Sequence, residues 1–220
     1  MRDKYKYYIA GGIALIVLYF LKNKKKGVKS NFKKKLIDLA NSEYNKWNKN
    51  GVKIKEGSND TIQELRDYWK KGANVVQSDS YYINNAWSAS FISYLVRMAG
   101  GENDFKYNSS HSVYIRDAVK NRKENNTKKF KAYKPNEINV EIGDLVCYPR
   151  QSGVNYDTTS PYMSHCDLIT QIDGNNAVGI GGNVSNSVSK SNYALLNGKI
   201  DKSKDKNSFG GVFTIIKNLK

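Results

Sequence analysis

Cysteine, histidine and long apolar runs are all scarce in this chain of 220 residues. The two cysteines, Cys147 and Cys166, do not suggest a disulfide framework. No CxxC or His/Cys cluster has zinc spacing. With only His111 and His165 present, a multi-histidine metal site is excluded, so neither metal nor cofactor is expected. Apolar residues make up 39% of the chain, below the usual share for a soluble domain. Sixteen Tyr and three Trp partly compensate, because aromatic side chains bury large areas. The length suits one domain of ordinary size plus an appendage. There is no internal repeat and no recognisable nucleic-acid-binding motif, so no nucleic-acid partner is expected.

The charge is unevenly placed. Residues 1–35 hold eleven Lys or Arg against the single acid Asp3, a net +10 of the chain's +16. Within that segment Tyr7 to Leu21 is a run of 15 residues without a charge. As a helix at about 1.5 Å per residue it spans roughly 22 Å, short of a ~30 Å hydrocarbon core. Lys6 and Lys22 can snorkel, and Tyr5, Tyr7, Tyr8 and Tyr19 suit the interfaces. A cleaved signal peptide is the rival, but the run ends in Leu-Lys-Asn-Lys-Lys-Lys with no small-x-small cleavage site. Residues 1–28 therefore read as a retained transmembrane helix with a basic flank, in contact with a lipid membrane. Eight Lys follow the run between residues 22 and 35, against three bases before it. The positive-inside rule places the remainder on the cytoplasmic side or in a virion's interior.

Residues 29–220 read as one domain. Ser30 can cap a helix running to about Asn50, with Phe32, Leu36, Leu39, Ala40, Tyr44 and Trp47 at helical spacing and Gly51 as its stop. A second helix starts near Asn59 or Asp60, carries Ile62, Leu65, Tyr68 and Trp69, and stops at Gly72. The third, Ile83 to Ala99, is apolar nearly all round and should be buried. A fourth covers about Ser110 to Asn121. Short β-like runs follow at Phe130–Tyr133, Asp144–Tyr148, His165–Ile172, Ala177–Ile180 and Val212–Ile216, separated by turn signals. Helices followed by closely spaced strands give α+β, with helices packed on an antiparallel sheet.

Nucleophilic catalysis needs a hydroxyl or thiol near a histidine and a third group to orient the ring. His165 opens a strand and projects from the sheet toward an open edge. His111 sits near a helix start, and no chemical role is assigned to it beyond lining a cleft. Ser88, near the start of the buried helix, is one nucleophile candidate, since the helix dipole favours developing negative charge there. Cys166 is the other, but adjacent strand residues point to opposite faces, so it should not meet His165 and reads as core.

Four segments carry a resemblance. Ala86-Trp87-Ser88-Ala89-Ser90-Phe91-Ile92-Ser93 resembles the Trp-Cys-Ala-Ala-Phe-Val helix of the CHAP group of amidases and endopeptidases. Ile142-Gly143-Asp144-Leu145-Val146 resembles that group's Pro-Gly-Asp-Leu-Val strand. Ser164-His165-Cys166-Asp167-Leu168-Ile169 resembles its catalytic-histidine strand, and Ile180-Gly181-Gly182-Asn183-Val184 its Glu-Gly-Asn segment. The chain resembles family 2272 of the domains of unknown function more closely still. It shares that family's Trp-Ser-Ala helix, a His-Ser-x-Tyr-Ile segment (His111 to Ile115), the Ser-His-Cys-Asp strand and the Gly-Gly-Asn-Val turn. The resemblance spans about residues 35–218.

The resemblance implies a papain-like fold and hydrolysis of a peptidoglycan amide bond. By motif, Ser88 takes the nucleophile's position, which holds cysteine in the CHAP group, His165 the base's and Asn183 the orienting group's. Asp167 is the rival orienter, although i+2 neighbours on a strand usually point in parallel. Trp87 and His111 are possible cleft residues. The implied protein is a single-pass membrane protein of a cell envelope or virion membrane, with peptidoglycan as partner and a role in lysis or entry. The alternative is an inactive cell-wall-binding or virion structural protein that reuses the fold.

Overall fold

The computed structural model describes residues 31–205 and 209–220. The expected anchor, residues 1–28, lies outside them. Among the described residues no helix is long and apolar enough to cross a membrane.

A helical stretch, α1 (residues 31–47), buries Phe32, Leu36, Ala40 and Trp47, the stripe expected from helical spacing. It ends earlier than expected. Asn50 and Gly51, both with positive φ, turn a small hairpin between β1 (Asn48–Lys49) and β2 (Val52–Lys53) instead of extending the helix. Helix α2 (Ile62–Asp67) runs on into a π-helical turn, Tyr68–Gly72, as far as the expected stop.

The expected third helix is two. Helix α3 (Asp79–Asn84) stops at Asn85, whose backbone is extended, and α4 (Ser88–Ala99) starts after a three-residue break. The Asn84 and Asn85 side-chain amides bond back to the Ser80 and Tyr81 carbonyls, drawing the backbone out of the helix. The break makes Ser88 the first residue of α4. Helix α5 (His111–Lys123) begins, in the same way, with a chemically able side chain.

The strands β3 (Phe130–Tyr133), β4 (Leu145–Pro149), β5 (Ser164–Asp173), β6 (Asn176–Gly181), β7 (Ser189–Leu196), β8 (Lys199–Ile200) and β9 (Thr214–Asn218) form one sheet. Its order is β3-β9-β4-β5-β6-β7-β8, and every neighbouring pair is antiparallel. The architecture is α+β. Strands β7 and β8 were not expected, because the start of β7, Ser-Lys-Ser-Asn, carries no apolar alternation.

The larger core lies between helices and sheet and includes Trp47, Tyr68, Trp87, Phe91, Leu145, Cys166 and Leu168. A smaller one on the other face holds Val146, Ile169, Ala177 and Ile215. Cys166 is core, as expected, but it is also bonded. Cys147 and Cys166 face each other across β4 and β5 and form a disulfide, with Cα atoms 4.1 Å apart. The low cysteine count suggests no disulfide framework, and it does not anticipate this single bridge. A cystine between directly opposed strand residues needs no framework of further bridges, so the low count was a poor guide. Just before β4, Asp144 pairs with Lys217 of β9 at 2.7 Å and accepts from the Asn218 backbone, a buried structural contact.

Candidate active site

The N-termini of α4 and α5 meet at the starting end of β5. Ser88 Oγ lies 2.7 Å from His111 Nε2. The other His111 nitrogen, Nδ1, is hydrogen-bonded to the Tyr114 hydroxyl, three residues on along the same helical face. His111 is almost wholly buried. Burial, with the nearby His165 and Arg150 charges, holds its pKa well below 6.5, so the ring is neutral. Tyr114, also buried, has its hydroxyl pushed far up and stays protonated.

His165 stands beside this pair, its ring centroid 5.3 Å from that of His111. Its Nε2 donates to Asp167 Oδ1 at 2.8 Å. Asp167 is fully buried and also accepts from the Tyr193 hydroxyl at 2.6 Å. Burial alone would raise its pKa. The His165 charge and the hydrogen bonds from His165, Tyr193 and Ser191 outweigh it and hold the carboxyl below its ordinary value. Tyr148, opposite His165 in register, packs its ring 5.2 Å from the imidazole.

The orienting contact therefore goes to Asp167, not Asn183. The expectation that i+2 strand neighbours rarely bond fails here for a local reason. Gly181 on the adjacent strand leaves the space in which they meet. A Cβ at Gly181 would sit 1.9 Å from Asp167 Oδ1 and 2.8 Å from His165 Nε2. The Gly-Gly-Asn-Val segment thus serves the site through its glycine. Asn183 occupies a left-handed turn position, φ 57°, and its residue lines the cleft without bonding the imidazole.

Ser88, His111, His165 and Asn183 line one cleft of about 540 Å³, on whose wall Arg150 and Met163 are exposed. Trp87 does not line it. Its indole is stacked on Trp47 and Tyr68, its N–H donates to Glu56, and it supports α4 from the core. Cys166, tied to Cys147, is unavailable as a nucleophile. His111 is nearer to Ser88 than a mere cleft residue would be. Its His-x-x-Tyr spacing at a helix start was the available signal. Tyr193 had none, since β7 itself was illegible. Among the described residues no group of three or more His, Cys, Asp or Glu could hold a metal ion.

A serine held by one histidine, beside a second histidine paired with a buried carboxylate, is an arrangement for proton transfer to and from a hydroxyl. The model of one family, described as "Uncharacterized protein conserved in bacteria (DUF2272)", matches residues 44–209. The chain belongs to that family. No curated protein and no solved structure matches it.

Proposed function

We propose that the protein is a membrane-anchored hydrolase of peptidoglycan amide bonds, with its domain in a papain-like arrangement similar to the CHAP group. The observation that carries this reading is the contact of Ser88, at the first turn of a 12-residue helix, with one histidine in a cleft shared by a second, carboxylate-paired histidine.

In this reading Ser88 attacks the scissile carbonyl, and the α4 N-terminus favours the negative charge that develops. Asp167 fixes the His165 tautomer, leaving Nδ1 as the lone-pair nitrogen, and stabilises the imidazolium once it takes the Ser88 proton. Tyr114 donates to His111 Nδ1, and His111 Nε2–H donates to Ser88 Oγ, aiming the hydroxyl proton away from His111. The direct Ser88–His111 contact favours a second assignment in which His111 is itself the base. Its depressed pKa and its uncharged partner Tyr114 make it the poorer resting place for a proton.

Residues 1–28 act as the single membrane span of a cell-envelope or virion protein. The lysine collar argues for the cytoplasmic side. The Cys147–Cys166 bridge argues for an oxidising compartment outside it, where the wall is. We give the bridge more weight.

The test is incubation of the full chain with purified sacculi. Soluble peptides released by the wild type and not by Ser88→Ala support the enzyme. Pelleting with sacculi without release points to a wall-binding module, and neither result to a structural protein. Loss of release in His165→Ala, with activity kept in His111→Ala, supports His165 as base; the reverse pattern supports His111.

A further inference from the structure

The cleft carries a positive charge that no carboxylate among the described residues answers. Arg150 lines it together with Ser88, both histidines and Asn183, and no Asp or Glu does so. Among the described residues no carboxylate pairs with Arg150. Arg66 has Asp79 and Arg122 has Glu137, each at 2.5 Å, while Arg97 and Arg116, also without a carboxylate, donate to backbone carbonyls; Arg150 is the guanidinium without a carboxylate partner that lines the cleft.

Arg150 is also held in place. It directly follows β4, and its backbone N–H bonds the Met163 carbonyl at 2.9 Å. Its guanidinium lies 5.5 Å from the Tyr148 ring centroid, and Tyr148 in turn packs on His165. The charge is close enough to the reacting groups to depress His111. A guanidinium without an acidic partner, in a cleft without acids among its described lining residues, is suited to a planar anion, which it binds with paired N–H donors.

We propose that Arg150 is the specificity-determining residue of the cleft, and that the substrate is an amide bearing a free carboxylate near the scissile bond. This rests on reading the cleft as the substrate site. It selects acidic peptides over their amidated or basic counterparts.

The test is calorimetric titration of the full chain carrying Ser88→Ala with two probes, N-acetyl-L-alanyl-D-glutamate and its α-carboxamide, N-acetyl-L-alanyl-D-isoglutamine. The carboxylate peptide should bind about tenfold more tightly, as one charge-assisted pair implies, and less so as salt is raised. Arg150→Gln should abolish the difference, and Arg150→Lys should restore part of it. Equal binding of the two probes, a preference that survives Arg150→Gln, or no binding of either would overturn the assignment. Because Ser88→Ala removes turnover, a wild type that selects the carboxylate but releases nothing from sacculi refutes the hydrolase and leaves this inference standing.

Discussion

Asp167 Oδ1 accepts a hydrogen bond from His165 Nε2 at 2.8 Å, two residues away along a single strand. An asparagine partner could hold the ring but could not offset an imidazolium charge. Asp167→Asn should therefore lower hydrolysis by roughly 10²-fold or more, the scale of a general acid–base contribution. Asn183→Ala should lower it by less than about tenfold on that scale. Rates of peptide release from sacculi decide between them, and a larger loss in Asn183→Ala would return the orienting role to that residue.

The absence of a side chain at Gly181 is what lets this pair form. Gly181→Ala puts a methyl 1.9 Å from the carboxylate oxygen, against two fully buried partners. It should cost about 1–3 kcal/mol, as overpacking does, and abolish hydrolysis. Urea unfolding gives the first quantity and sacculus digestion the second. Wild-type values for both would mean that the pair relaxes freely.

The neutral state of His111 makes stability depend on pH. Its folded pKa lies below the ordinary 6.5, so between those values the unfolded chain binds the extra proton. The contribution is complete above pH 6.5 and is lost as pH falls from there toward the folded value. His111→Gln should flatten that part of the stability curve measured by urea unfolding. An unchanged slope below pH 6.5 would show that the ring is not buried neutral. Asp167, also depressed, adds a similar loss at lower pH, below the ordinary 3.8.

The cystine closes a loop of sequence separation 19. Such a loop should contribute about 3 kcal/mol by restricting the unfolded chain. Replacing both Cys147 and Cys166 with Ala should lower the unfolding free energy by about that amount, plus whatever packing the two buried sulfurs lose. A double variant of wild-type stability, with a free-thiol count of two in the parent, would show that the bridge does not form.

The core helix offers a simpler check. Phe91 and Leu95 are fully buried on α4. Either change to Ala should cost about 2–5 kcal/mol by urea unfolding. A negligible cost for both would remove α4 from the centre of the fold.

Most of this architecture is legible in the chain because burial imposes a period. The stripe from Phe32 to Trp47 and the strand Phe130–Tyr133 fall where apolar spacing puts them. Legibility fails where polar side chains make the structure. Asn84 and Asn85 break a continuous apolar pattern by bonding back to the preceding turn. Strand β7 is polar at its start, so Tyr193 had no visible neighbourhood. Ser88 and His165 were recognisable as candidates from their motif positions. The nearness of His111 to Ser88 joins residues 23 apart, and no local pattern reports such a contact.

Strand side chains alternate with a period of two, so sliding β5 one residue along β4 would put His165 and Asp167 on the sheet face that Cys166 now takes, and Cys166 on theirs. The opening of β5, Ser-His-Cys-Asp, has little apolar alternation to resist that slide. The sulfur–sulfur bond sits on the rung between Tyr148–His165 and Val146–Asp167. It acts as a parity lock: once it closes, the two strands have a single phase. A chain whose cystine closes on this rung has one side of the sheet fixed for its imidazole.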